Sequence, residues 1–407
     1  MDRLKVFEEL TLPNGVQIRN RIFKSAMSET LANKRNEPTR LHENLYGTWA
    51  RGGSAIVVTG NVMVDRTALG EPGNVVVEDE RDLDKLKQWA SVGTQNNTHL
   101  WMQINHPGKQ SPRSMSKEPV APSAVPLKNY STHLFGKPRA LTVKEIKGLI
   151  ERYINTARIA KKAGFKGVQI HGAHGYLVSQ FLSANDNQRT DEYGGTLENR
   201  MRFVNEIYSG MRETLGPDFP ISIKMNASDF NDGGFSEEDS LHVAERLASS
   251  GIDLIEISGG NYENPKMFKE ANEGSNDVFF IEYAEKLRGK VDVPIVVTGG
   301  FRSLASMEEA LKKNKTSMIG LARPLVLVPD LPHQITNGGV KQIETPRLTT
   351  GSKYLDQKVG SLMGISYYEH QILRIAKGKK VSKHRNGWLP LMHSVKAHGI
   401  TGLLPRR

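Results

Sequence analysis

Two imidazoles and a phenol stand within six residues of one another in this chain, at His171, His174 and Tyr176. They follow a short apolar run, Val168 to Ile170, and precede the polar stretch Arg189-Thr190-Asp191-Glu192-Tyr193-Gly194-Gly195. Imidazole N–H groups can hydrogen-bond an oxygen that is gaining negative charge, and a phenol held within reach can deliver a proton. Two histidines three apart also suit a metal. No third ligand stands out at the usual spacing, although an Asp or Glu elsewhere in the chain could supply one, and no metal site is expected.

Groups of this kind need a scaffold. Short strand-like runs recur at Arg21 to Met27, Ser54 to Thr59, His99 to Ile104, Lys166 to His171, Pro220 to Met225, Ile252 to Ser258, Val293 to Thr298 and Thr316 to Leu321. Amphipathic stretches lie between them, among them Thr142 to Gly164, Leu197 to Leu215, Ser236 to Ser250 and Ser303 to Asn314. Thr142 with Glu145, and Ser236 with Asp239, have the spacing that satisfies free N–H groups at a helix start. Eight alternating units predict an α/β fold, a closed (β/α)8 barrel over residues 1–340. A doubly wound sheet is the alternative, but no Gly-x-Gly-x-x-Gly follows the first strand. Asn14-Gly15 predicts an N-terminal β-hairpin with a type I′ turn. The long connection from Asn105 to Ala140, rich in proline, has the character of a cover over a site. Residues 341–407 form a C-terminal extension, helical from Asp356 to Gly378 and irregular beyond, packed on the barrel or on a neighbouring subunit.

In such a barrel, reactive groups sit at the C-terminal ends of strands, which is where His171 and His174 fall. Composition narrows the chemistry. The 407 residues contain no cysteine, which excludes disulfides, thiolate zinc sites and cysteine-held iron–sulfur clusters. Redox work would have to run through an organic cofactor. No apolar run approaches the roughly 18 residues of a membrane span, and the charged start is unlike a signal peptide, so a cytoplasmic location is expected. The net charge is +11, and nine of those positive charges lie between Arg374 and Arg407, where there is no Asp or Glu. Such a tail suits an anionic cofactor, a neighbouring subunit in a homo-oligomer, or simply solvent. Aromatics are sparse in it, which argues against nucleic acid.

The run from Val168 to Phe203, with its paired histidines, tyrosine and Arg-Thr-Asp-Glu-Tyr-Gly-Gly, resembles the Old Yellow Enzyme family of NADH:flavin oxidoreductases, FMN-dependent ene-reductases. The resemblance spans roughly residues 1–340. It implies that His171 and His174 bond the carbonyl oxygen of an activated alkene and that Tyr176 protonates it. FMN would carry the hydride, supplied by NADH or NADPH. The resemblance places the flavin against Ala26, Met27 and Ser28, where Ala26 replaces the family's usual proline and Ser28 its threonine or cysteine. It also implies contacts from the backbone of Gly60, from the Gln103 amide and from Lys224, a lysine where many members have arginine. The phosphate would sit between Thr298-Gly299-Gly300 and Leu321-Ala322-Arg323-Pro324. The implied substrate is a small molecule with an electron-withdrawing group. An oxidase of the same barrel is the alternative.

Overall fold

The computed structural model describes residues 3–128, 133–264 and 278–398, and all structural statements refer to these. Eight parallel strands close on themselves: β1 (Ile22–Lys24), β2 (Ile56–Val58), β3 (His99–Asn105), β4 (Gly167–Gly172), β5 (Ile221–Asn226), β6 (Leu254–Ser258), β7 (Ile295–Thr298) and β8 (Met318–Leu321). Each pairs with the next, and β8 pairs with β1. These strands are rich in Val and Ile because helices cover the barrel's outside and leave both strand faces dry. Strand β1 is shorter than its apolar run suggested: it stops at Lys24 and frees Ser25 to Ser28 to form a loop.

Around the barrel run α1 (Arg40–Arg51), α2 (Leu83–Gly93), α3 (Val143–Ala163), α4 (Arg202–Leu215), α5 (Glu237–Ser249), α6 (Ile281–Arg288), α7 (Leu304–Lys312) and α8 (Lys353–Ala376). The helix starts follow the expected capping chemistry. Thr142 accepts the Glu145 N–H while Glu145 reaches back to the Thr142 N–H, and Ser236 accepts the Asp239 N–H.

The N-terminal hairpin pairs Leu10 with Ile18 and Thr11 with Gln17. Its turn is not type I′. Pro13, with φ locked near −65°, occupies the first central position, and of the Asn14-Gly15 pair only Gly15 takes positive φ, at 83°. The Gly15 N–H closes on the Leu12 carbonyl at 2.9 Å. The result is the longer hairpin loop in which a left-handed glycine follows the turn. Leu12 and Ile18 then plug one end of the barrel, packing with Phe23, Ile56, Trp101, Leu254 and Met318.

The C-terminal extension shares the barrel's core. Tyr367, Tyr368, Ile372 and Ile375 of α8 belong to the same apolar cluster as the barrel helices, and Asn44 of α1 caps the Ala376 carbonyl at 3.0 Å. A further helix, α9 (Trp388–His398), occupies ground that had been expected to be irregular. The end of the basic tail, residues 399–407 with Arg406 and Arg407, lies outside the described residues.

Candidate active site

The barrel's other end opens into a cleft of about 830 Å³. Every strand contributes to its wall: Ala26, Met27 and Ser28 after β1, Asn61 after β2, Gln103 on β3, His171 on β4, Lys224 on β5, Ser258 on β6, Thr298 on β7, and Ala322 and Arg323 after β8. The strand register explains the grouping. His171, Lys224 and Glu256 are successive lateral neighbours, as are Gln103 and Gln169, so their side chains share levels inside the barrel.

A polar chain crosses that interior. The Gln103 amide donates to Gln169 at 2.8 Å, Gln169 donates to Glu256 at 2.9 Å, and Thr298 donates to Glu256 at 2.8 Å. Lys224 meets Glu256 at 3.2 Å, with the carboxylate fully buried. A buried lysine and a buried carboxylate would each be costly alone, and together with these hydrogen bonds they form a satisfied, rigid floor. Sequence reasoning had located Gln103 and Lys224 but not Gln169 or Glu256, which hold them.

A second buried charge cluster lies beside it. Burial pushes the Lys24 amine down to about 7, against the opposing pull of Glu29. Burial likewise raises the Glu29 carboxyl, against the Tyr46 hydroxyl that donates to it and against Lys24. The Lys24 ammonium also lies 4.1 Å from the Trp49 ring centroid, a cation–π contact.

This cluster decides what Gly60 does. Its N–H donates to Glu29 at 3.0 Å and to the Tyr46 hydroxyl at 2.9 Å. The expectation that this N–H faces a flavin ring therefore fails: Glu29 and Tyr46 already hold it, and Gly60 is not on the cleft wall. The neighbouring Asn61 is there instead. Gly299 lines the cleft with φ of 120°, while Gly300, with φ of 94°, sits behind it.

The imidazoles and the phenol converge. The His171 ring lies 5.2 Å from that of His174 and 4.8 Å from that of Tyr176, edge to face in both cases. His171 Nδ1 accepts the Ala173 N–H at 3.3 Å, which leaves the proton of the neutral ring on Nε2 and makes that atom the donor. His174 adopts the left-handed region, with φ of 61°, which is uncommon for a residue with a side chain. Three bonds hold it there. Its N–H donates to Asn226 at 3.1 Å, its carbonyl accepts from Gln110 at 3.0 Å, and its Nε2 lies 2.8 Å from the Ser258 hydroxyl. Strain held by surrounding bonds is typical of a working site.

The Arg189 to Gly195 stretch, by contrast, is scaffold. Arg189 grips the Pro122 carbonyl at 2.8 Å, tying the long β3–α3 connection down, and Tyr193 donates to Glu206 at 2.7 Å. Leu127 and Phe135 from that connection pack on Tyr176 and Tyr262. Residues 129–132 of this connection lie outside the described residues. The basic extension also reaches the site, for Arg347, Lys353 and Arg385 line the cleft together with Arg302 and Arg323.

The residues present fit a flavin. Ser28 Oγ and Asn61 Oδ1 are buried on the cleft wall and have no hydrogen-bond partner among the described residues. Such orphaned groups are costly unless a ligand completes them. A hydroxyl donor, an amide acceptor, Gln103 and a lysine match the alternating acceptors and donor of a flavin's polar edge. The glycine turn and Arg323 suit a phosphate. Among the described residues no cluster of His, Asp or Glu is arranged to hold a metal.

Comparison with known proteins agrees with this chemistry. The model of the NADH:flavin oxidoreductase / NADH oxidase family matches residues 5–342. The chain is 36% identical over 354 residues to NADH-dependent flavin oxidoreductase iliE of Hypocrea jecorina (strain QM6a), covering 80% of this chain and 87% of that protein. It is 32% identical over 325 residues to NADPH dehydrogenase of Geobacillus sp. (strain WCH70), covering 78% of this chain and 90% of the relative. The Old Yellow Enzyme homologue from Zymomonas mobilis shares the fold, with a TM-score of 0.71 at 22% identity over 84% of this chain and 95% of that one. The chain thus belongs to the NADH:flavin oxidoreductase / NADH oxidase family and is an FMN-dependent NAD(P)H oxidoreductase built on a (β/α)8 barrel.

Proposed function

We propose that the protein reduces activated C=C bonds, those of α,β-unsaturated carbonyls and nitroalkenes, at the expense of NADH or NADPH. The observation that carries this reading is the convergence of His171, His174 and Tyr176 on one cleft whose floor holds Lys224 and Gln103. Ser28, Asn61, Gln103 and Lys224 would hold the ring system of FMN, and Gly299, Ala322 and Arg323 its phosphate. When bound, FMN supplies the hydride acceptor and donor that the protein itself lacks.

The protein's own groups do the rest. His171, donating from Nε2, and His174 bind the substrate's carbonyl or nitro oxygen and stabilise the charge that gathers there as the alkene is reduced. Tyr176 protonates the α-carbon. Lys224, held by Glu256, would set a cation at the flavin's edge, a point charge where arginine would give a fork. Leu127 and Phe135 pack on Tyr176 and Tyr262 and help hold the phenols in place.

Tyr176→Phe tests the assignment. Reoxidation of the reduced enzyme by an enone should slow by about a hundredfold, within the usual range for a general acid. Reduction by NAD(P)H should stay near normal. Equal loss in both half-reactions would remove Tyr176 from its role.

A further inference from the structure

Tyr262 is a second phenol in the cleft that the sequence pattern did not single out. It emerges four residues after β6, through Gly259, Gly260 and Asn261, and it is buried. Its hydroxyl lies 3.3 Å from that of Tyr176, with ring centroids 6.1 Å apart at 71°. Phe135 stacks edge-on against it at 6.1 Å.

Packing alone does not explain a tyrosine here. A phenylalanine would fill the same aromatic cluster without bringing a hydroxyl into a buried place, where a polar group is costly unless bonded. The turn that presents Tyr262 is also tied to the rest of the site. Asn226 receives the His174 N–H on its Oδ1 and donates through Nδ2 to the Gly260 carbonyl at 3.0 Å. One amide therefore sets both the histidine and the approach of the second phenol. The turn is closed by the Asn264 N–H on Asn261 Oδ1 at 2.9 Å.

We propose that Tyr262 is the positioning partner and proton source of Tyr176, so that the two phenols act as a relay. The inference rests on the role proposed above for Tyr176. In the protonation step the Tyr176 O–H bond breaks and a C–H bond forms at the substrate's α-carbon. That carbon supplies the electron pair left when hydride from the reduced flavin has reached the β-carbon. The phenolate oxygen remaining on Tyr176 accepts a hydrogen bond from Tyr262 and then its proton. Tyr262 regains a proton from water entering the cleft between turnovers. A distance of 3.3 Å is long for an O–H···O bond, and it shortens as charge develops on the acceptor. A donor that faces the charged form of an acid favours that form, so Tyr262 makes Tyr176 the readier acid.

The test is a double-mutant cycle on the flavin-loaded enzyme, following anaerobic reoxidation by 2-cyclohexenone in stopped flow across pH 6–10. Tyr262→Phe should slow reoxidation about tenfold, the scale of one lost hydrogen bond to a charged oxygen. It should leave reduction by NAD(P)H unchanged and move the pH profile of reoxidation. In a Tyr176→Phe background the same substitution should change the rate less than twofold, and Tyr262→His, which keeps a donor, should recover most of the loss. Wild-type reoxidation in Tyr262→Phe would overturn the relay, as would a full tenfold loss in the Tyr176→Phe background, because Tyr262 would then act independently. If Tyr176→Phe itself reoxidises normally, the role proposed for Tyr176 fails first, and the relay with it.

Discussion

Glu29 stands over Gly60 so closely that a Cβ on the glycine would lie 1.8 Å from its carboxylate oxygen. The same carboxylate accepts the Gly60 N–H, and a Tyr46 hydroxyl closes the triangle. Glycine is required at this strand end because a buried acid, 31 residues earlier in the chain, occupies the space. The acid in turn keeps Lys24 company in an interior that would otherwise have to neutralise it.

Gly60→Ala should therefore be a steric lesion. The backbone at Gly60 does not use positive φ, so the cost comes from displacing Glu29 and from crowding the Met27 carbonyl, whose oxygen would lie 2.5 Å from the new Cβ, about 2 kcal/mol by analogy with other overpacked interiors. Urea unfolding of the variant should show this loss. If the single variant is as stable as the parent, Glu29 has room to move that the structure does not reveal.

The Lys224–Glu256 pair separates stability from cofactor binding. Lys224→Met leaves a fully buried carboxylate with one cation fewer, and breaking such a pair costs about 3 kcal/mol or more. Adding Glu256→Gln should restore much of the unfolding free energy without restoring flavin retention, measured as bound flavin absorbance after gel filtration. Recovery of both would mean that Lys224 serves the fold alone.

Asp229 makes stability depend on pH. Burial raises its carboxyl to about 6, while the Asn226 amide at 2.9 Å pulls the other way. Its ordinary value is 3.8, so between about 4 and 6 the folded protein holds a proton that the unfolded chain has released. Stability from this group is thus fully present below about 4 and is lost as pH rises through about 6. A shift of roughly two units corresponds to about 3 kcal/mol at most. Denaturation midpoints of Asp229→Asn, compared with the parent from pH 4 to 7, should lack this downward slope. Parallel curves for the two proteins would assign the slope elsewhere.

Much of this architecture was legible in the sequence because it is periodic. Eight apolar runs alternating with amphipathic stretches specify a closed barrel, and the barrel specifies that strand ends carry chemistry. His171 follows from that rule, as a polar residue closing an apolar strand, whereas Gln103 and Lys224 were marked by the family resemblance. Asn61 and Tyr262 obey it too, lying just past β2 and β6, but nothing in their local sequence sets them apart from ordinary loop residues. Glu29 and Glu256 were hidden for another reason. A carboxylate in sequence looks solvated, and only the tertiary neighbours Lys24, Tyr46 and Lys224 show it to be buried. Gly60 was misread on the same account, since a missing Cβ leaves room for a ligand or for a neighbour without saying which. The hairpin turn erred locally: Asn14-Gly15 drew the eye, while Pro13 before it excluded the tighter turn.

The central claim is that electrons pass from a nicotinamide through a bound flavin to a conjugated alkene, and one experiment follows that whole path. The purified protein would be titrated without oxygen, first with NADH and then with NADPH, and reoxidised with 2-cyclohexenone while its absorption spectrum is recorded. The account predicts a yellow protein, bleached by at least one of the two donors, whose colour the enone restores. A flavin that bleaches but returns only on exposure to oxygen would contradict the ene-reductase reading and make the protein an oxidase. A colourless protein that cannot be loaded with FMN would contradict the roles proposed for Ser28, Asn61, Gln103 and Lys224.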